Sequence, residues 1–295
     1  MLRLHLLKNL DLPELQPYRT MRQSQDHHDQ GIFVAEGVKV VRRLLESRFE
    51  VVSVLLPEKW VAEFEPLVNA RPEAEIPVYL VTEKHVLEEL IGFSMYQGVL
   101  AVGRIPRRQT LADVLRRSPR PRLFAAADGV SNAENLGALV RNCAAFGVQA
   151  LISGETSSSP FLRRAVRNSM GTVFQLPVVD LANERPNRWR KPSPTGRQTL
   201  VQALEELRQH GVRCIAAHPH AEGRTLMEAD FTGDCCILFG SEGEGISPEA
   251  LAACDEAVAI PMPPEVDSLN VGAAAAVFLY EAYRQRQERR RGAGK

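Results

Sequence analysis

The run Cys235-Cys236-Ile237-Leu238-Phe239-Gly240-Ser241-Glu242-Gly243-Glu244-Gly245 joins five apolar residues to a loop of three glycines and two glutamates. Five consecutive apolar residues match a fully buried strand, and the glycines permit a sharply curved loop after it. A second short strand, Ala257 to Ile260, runs into Pro261-Met262-Pro263-Pro264, then Ser268-Leu269-Asn270 and an alanine-rich helix from Val271. The pattern predicts two loops following two buried strands. Open α/β sheets bind ligands at such places, outside the carboxyl ends of their strands. The glycine spacing, G-x-x-G-x-G, departs from the dinucleotide fingerprint, and Glu242 and Glu244 would repel a pyrophosphate at close range. A cationic or hydroxyl-rich ligand suits this loop better.

Upstream, Arg122 to Ala127 reads as a strand of small and apolar residues entering Asp128-Gly129. Leu136, Leu139, Val140, Cys143 and Ala144 then fall on one helical stripe, with Asn135 expected as the N-cap and Gly147 as the stop. At about 100° per residue Arg141 lies roughly 140° from Leu136, away from the core. Further strands are expected at Gln149 to Ile152, Val173 to Val179 and Val212 to Ala217, with helices near Phe161 to Ser169 and Leu200 to His210. This alternation predicts a parallel sheet with helices on both faces. Between Asn183 and Gln198 lies a basic, proline-rich insertion around Trp189. It is read either as a platform for stacking a base or as a tolerated loop.

The N-terminal third reads as a smaller α/β unit. Residues 1–30 are expected as a helix followed by a loop. From Gly31 to Gly103, strands are expected at Ile32 to Val34, Val51 to Leu56, Val78 to Val81 and Gly98 to Val102. They alternate with helices at Val38 to Leu45, Val61 to Val68 and Glu83 to Ile91. Three prolines amid arginines mark residues 106–121 as a linker, in which Leu111, Val114 and Leu115 are expected to make one short helix. The organisation is therefore an N-terminal domain over 1–105, the linker, and a larger domain over 122–295.

Composition bounds the function. The 295 residues, 44% hydrophobic and 24% charged, are those of a soluble globular protein of about two domains. No apolar run reaches a membrane span, and the first residues do not form a signal sequence, so a cytoplasmic location is expected. The five cysteines lack any C-x-x-C pair and read as buried free thiols, and no metal site is expected; His218 and His220 are read as strand-end residues. Lys plus Arg equals Asp plus Glu at 36 each, yet the arginines cluster at 104–122, 163–167, 185–197 and 284–291. Such clusters are expected to meet phosphates locally on a neutral chain.

Three motifs carry a resemblance to a known family. Asn135-Leu136-Gly137-Ala138-Leu139-Val140-Arg141, then Gly240 to Gly245, then Ile260-Pro261-Met262 with Ser268-Leu269-Asn270-Val271, resemble, in order, the motifs of the SpoU (TrmH-type) ribose 2′-O-methyltransferases of the SPOUT class. The resemblance implies an α/β catalytic domain with a trefoil knot, and S-adenosylmethionine held by the main chain of Gly240, Ile260 and Leu269. It further implies an active site of Arg141, Asn135, Glu242, Ser268 and Asn270. The resemblance makes Arg141 the group that activates the ribose hydroxyl; because a guanidinium has no acceptor, its role is read either as that base or as a group that binds the flanking phosphate and stabilises the developing alkoxide.

More loosely, Ala35-Glu36-Gly37-Val38-Lys39 and Gln97-Gly98-Val99-Leu100-Ala101 look like landmarks of an L30e-like RNA-binding domain. The implied partners are structured rRNA or tRNA and a second copy of the chain. A base-methylating SPOUT enzyme and a non-catalytic RNA-binding protein are the alternatives. Asn132-Ala133, Pro263-Pro264 and Gly272 depart from the family pattern. The double proline leaves target choice open.

Overall fold

The computed structural model describes residues 2–7, 10–94, 97–181, 198–219 and 224–293. The expected Trp189 loop and its arginines lie outside the described residues, as does His220. The chain forms two compact units: residues 1–107 with 161–175, and a larger one built mainly from 108–160, 176–184 and 192–295.

The first unit carries β1 (Leu2–Leu6), α1 (Gln16–Arg19), α2 (Ser24–Asp29), β2 (Ile32–Glu36), α3 (Val38–Leu45), β3 (Val51–Pro57), α4 (Val61–Asn69), β4 (Ile76–Val81), α5 (Lys84–Ile91) and β5 (Leu100–Arg104). Its sheet runs β1-β4-β3-β5-β2, with β1, β4 and β3 parallel and β5 antiparallel to both its neighbours. Leu15, Tyr18, Met21, Leu87 and Leu90 cover one face of it. Phe33 and Phe49 instead meet Phe161 and Phe174, with ring centroids 5.3–5.9 Å apart. Phe161 and Phe174 come from the distant segment that joins this unit.

Two expectations for this unit are corrected. The N-terminus is a strand rather than a helix, because the alternation in Leu2-Arg3-Leu4-His5-Leu6 has the period of an edge strand and pairs with β4. Residues 24–29, expected in a loop, form α2, where His27 is buried and its Nε2 lies 2.8 Å from Thr20 Oγ1.

The second unit adds α6 (Leu111–Arg117), β6 (Leu123–Ala127), α7 (Ala133–Ala145), β7 (Ala150–Ser153), β8 (Val178–Asp180), α9 (Leu200–Gln209), β9 (Arg213–Ala217), β10 (Cys235–Phe239), α10 (Pro248–Ala252), β11 (Glu256–Val258) and α11 (Val271–Ala293). Between β7 and β8, α8 (Arg163–Asn168) belongs with the first unit. The sheet is wholly parallel in the order β11-β9-β10-β6-β7-β8.

Alternate residues of these strands face opposite layers. Phe124, Ala126, Ile152, Cys214 and Leu238 pack with α6, α9 and α10. Phe239, one residue further along β10, meets Phe278 of α11 at 6.0 Å on the other face. Within the proline-rich stretch Leu111, Val114 and Leu115 lie on one short helix, α6. Thr110 and Asp113 form a capping box that starts α6, and Leu111, Val114 and Leu115 enter the second core. Residues 173–179, expected as one strand, split: Thr172–Phe174 is a 3-10 turn serving the aromatic cluster, and only Val178–Asp180 joins the sheet. β11 is a half-buried edge strand rather than a buried one. No helix among the described residues is long and apolar enough to cross a membrane.

His27 gives this fold a pH dependence. Burial disfavours its imidazolium and lowers its pKa from 6.5, against a smaller opposing pull from the Asp26 charge. Below pH 6.5 the unfolded chain binds the proton that the folded one refuses, so the contribution is full above 6.5 and lost as pH falls. Chemical denaturation of the full chain as a function of pH is expected to show stability falling below that point, at up to about 1.4 kcal/mol per pH unit. The slope should flatten in His27→Gln.

Candidate active site

A cavity of about 290 Å³ opens where the carboxyl ends of β9 and β10 meet the segment after β11. Phe239, Ile246 and Phe278 are buried and form its apolar floor, while the exposed Glu242, Glu244, Asp267 and Ser268 line its mouth. Gly240, Ile260 and Leu269, the three positions expected to hold a cofactor by their main chain, all line it. His218 lines it too, one residue beyond the end of β9. At Gly240 a Cβ would fall inside the backbone of Gly245 and Ile246, so only glycine lets the loop fold back so tightly.

Asn135, Asn270 and Arg141 do not line the cavity. Two of them reach its wall through hydrogen bonds. Gly272 N donates to Asn270 Oδ1 at 2.9 Å, Asn270 Nδ2 donates to Asn135 Oδ1 at 3.1 Å, and Asn135 Nδ2 donates to Glu242 Oε1. One polar chain thus links α11, α7 and the glycine-rich loop.

The reading of Asn135 as the N-cap is corrected. Asn132 caps α7, its Oδ1 accepting from the backbone N–H of Glu134 and Asn135 at 2.8 and 3.3 Å. The Asn135 side chain is thereby released for the site. Asn270 keeps both roles, since one amide atom caps α11 and the other joins the chain. The departure at Gly272 has a packing reason. A Cβ there would stand 3.0 Å from the Cβ of Ala138 and 3.1 Å from Asn270 Oδ1, so a serine would press α11 away from α7. Asn142 Nδ2 closes the same crossing by donating to Gly272 O at 2.6 Å.

Arg141 is exposed on α7 and has no hydrogen-bond or ion-pair partner among the described residues. Many of the other clustered arginines are engaged internally. Arg163 and Arg167 both bind the buried carboxylate of Glu36, and Arg122 and Arg120 face Asp234. Arg284 lies between Glu281 and Glu288. Arg286 donates to the carbonyls of Phe231, Pro121, Arg122 and Gly233. Burial pushes the cysteine thiols up, Cys254 to about 12, so thiolate chemistry plays no part here.

Asp128 was not singled out by the sequence, yet it grips both ends of the 240–246 loop. Its N–H donates to Phe239 O at 2.8 Å, on the residue before the loop. Its Oδ2 accepts from Ser247 N at 2.8 Å and Ser247 Oγ at 2.7 Å, on the residue after it. Inside the loop, Ser241 and Gly245 exchange backbone hydrogen bonds at 2.9 and 3.1 Å. The available signal was an acidic residue at the end of a predicted strand, which is where α/β sheets place functional groups. Hydrogen bonds to a charged acceptor contribute about 1.5–3 kcal/mol each. Asp128→Ala is therefore expected to cost about 2–4 kcal/mol of stability. It should also raise hydrogen exchange in 240–247 well above that of α9, read by mass spectrometry of the full chain.

The sequence profile of the SpoU rRNA Methylase family matches residues 122–280. An uncharacterized tRNA/rRNA methyltransferase of Mycobacterium tuberculosis is 34% identical over 282 residues, spanning 93% of this chain and 90% of its own. The 23S rRNA (guanosine-2′-O-)-methyltransferase RlmB of Escherichia coli is 28% identical, over 85% of this chain and 97% of its own. Among solved structures, the SpoU methyltransferase AviRb of Streptomyces viridochromogenes in complex with the cofactor AdoMet aligns with a TM-score of 0.73 and 25% identity. That alignment covers 94% of this chain and all of the other. The matched region contains the cavity, the polar chain and Arg141, and the chain belongs to the SpoU rRNA methylase family of RNA methyltransferases.

Proposed function

We propose that this chain transfers a methyl group from S-adenosylmethionine to a ribose 2′-hydroxyl of structured rRNA or tRNA. The observation that carries the reading is the convergence of Gly240, Ile260 and Leu269 on one cavity whose wall is tied by Glu242 to Asn135 and Asn270. The residues fit the cofactor. An apolar floor suits an adenine ring, the main chain of Gly240, Ile260 and Leu269 lines the cavity, and Glu242, Glu244 and Asp267 suit a ligand bearing a sulfonium and an ammonium. RlmB, named as a guanosine 2′-O-methyltransferase, supports ribose chemistry, and AviRb bound to AdoMet supports the donor. The L30e-like reading of the first unit, a trefoil knot in the second, and the domain bounds 1–105 and 122–295 belong to the same proposal, as does a cytoplasmic location.

When bound, the cofactor supplies an electrophilic methyl group; the chain's own residues supply position and charge. Gly240, Ile260 and Leu269 hold the donor by main chain. Asn135, itself held by Asn270, keeps Glu242 at the cavity mouth beside Ser268, where the acceptor ribose enters. Arg141 carries N–H donors and no acceptor, so it binds a flanking phosphate and stabilises the alkoxide that develops as the hydroxyl proton passes to solvent water. The exposed Val277, Tyr280 and Tyr283 of α11, with Phe146 against both tyrosine rings, form the face assigned to a second copy of the chain.

Mass spectrometry of ribosomal and transfer RNA incubated with the enzyme and methyl-labelled cofactor tests the chemistry. Label is expected on ribose, and label confined to bases would refute it. Arg141→Ala should lower turnover at least about 100-fold, the scale of lost transition-state electrostatics, while calorimetry finds cofactor affinity within about twofold. Undiminished turnover would remove Arg141 from the mechanism. Tyr280→Glu should convert a dimer to a monomer in analytical ultracentrifugation, and a wild type that sediments as a monomer would refute the assigned face.

A further inference from the structure

The parallel sheet of the second unit brings one further side chain to the middle of its cavity. β9 lies between β10 and β11, and Ala217 at its end is in register with Phe239 on one side and Val258 on the other. The next residue, His218, therefore stands level with Gly240 and Ala259, between the two segments that carry Gly240 and Ile260. Its N–H donates to Val258 O at 3.0 Å, which carries the strand pairing one residue past β9 and fixes where the side chain leaves the backbone. His218 is half-buried, its Nδ1 is buried, and it lines the cavity.

Charge narrows what the imidazole can meet. Among the described residues that line the cavity, Glu242, Glu244 and Asp267 are acids, none is a lysine or arginine, and His218 is the one side chain able to carry positive charge. The amino-acid end of S-adenosylmethionine is a zwitterion. The acids suit its ammonium, but they repel its carboxylate. Two lining hydroxyls are the competing donors. Ser241 Oγ is engaged within its own loop, accepting from Glu244 N at 3.2 Å and donating to Gly245 O at 3.5 Å. Ser268 stands at the mouth, next in sequence to Asp267. An imidazole keeps one N–H in either neutral tautomer and has two when protonated, so it can donate to a carboxylate in every state.

We infer that His218 holds the carboxylate of the methyl donor and so selects the whole donor over analogues that lack this group. This rests on the S-adenosylmethionine reading of the cavity. It adds a side-chain contact to the main-chain contacts assigned to Gly240, Ile260 and Leu269, and it places the donor's two opposite charges against groups of opposite sign.

The test is calorimetry on the full chain with two probes. One is S-adenosylhomocysteine; the other is S-adenosyl-3-thiopropylamine, the same molecule without its carboxylate. His218→Ala should weaken S-adenosylhomocysteine at least about tenfold, the scale of a lost hydrogen bond to a charged group. It should leave the decarboxylated probe within about twofold, because the contact it removes is then absent from both sides of the comparison. His218→Gln keeps an N–H donor and should bind S-adenosylhomocysteine within about threefold of the wild type. Equal losses for the two probes in His218→Ala would make His218 a wall of the cavity only and overturn the inference. Unchanged affinity for S-adenosylhomocysteine in that variant, or a His218→Gln protein as weak as His218→Ala, overturns it as well. The wild type keeps the two readings apart. If it binds neither probe, the cofactor reading fails; if it binds both and the variants respond without regard to the carboxylate, only this inference does.

Discussion

Three hydrogen bonds between side chains and a helix start hold together parts of the chain that are far apart in sequence. Asn135 is separated from Glu242 by 107 residues and from Asn270 by 135, yet one amide joins all three. An amide can do this because it donates through nitrogen and accepts through oxygen at once. The arrangement depends on two close approaches, one where the loop folds back over Gly240 and one where α11 crosses α7 at Gly272. With a larger residue at either point the polar chain would lose its register, and the cavity wall would lose its attachment to α7.

Asp128 supplies the complementary constraint. A glycine-rich loop has many conformations available, and its ordering costs correspondingly more entropy. Fixing both of its ends to one residue on the neighbouring strand removes much of that freedom. The backbone N–H of Asp128 continues the pairing between β6 and β10, while its carboxylate holds the serine that caps α10. Sheet, loop and following helix are thereby set relative to one another by a single side chain.

The periodicity of the second unit was readable because buried parallel strands leave continuous apolar runs and their helices leave one clean stripe. β6, β7, β9, β10 and the stripe on α7 all follow from that signal. Readings failed where a tertiary partner decided the local structure. Val173 and Phe174 have strand propensity, yet Phe174 is drawn into the aromatic cluster with Phe33 and Phe49, and its backbone turns. Asn132 and Asn135 are both competent caps by composition, and only the geometry of Glu242 and Asn270 decides which one is free for the site. Of the site itself, the cavity-lining positions were legible from the motifs, whereas Asp128 was not, because its role lies in three bonds to two residues more than a hundred positions away.

The charge distribution follows the same logic. A chain with equal numbers of acids and bases reaches an RNA partner only if some cations remain unspent after internal pairing. Glu36 shows how the spending occurs. It is a buried carboxylate that needs a cation, and the nearly buried Arg163 and the more exposed Arg167 both pair with it, so both are engaged in building the fold. Arg286 is likewise fixed by the four carbonyls to which it donates. Arg141 and Lys59 meet neither demand. Each is an exposed cation without an acidic partner among the described residues, one on the helix that carries the polar chain and the other just after β3. Clustering in sequence counted cations; partnering in three dimensions separates those that build the fold from those that stay exposed.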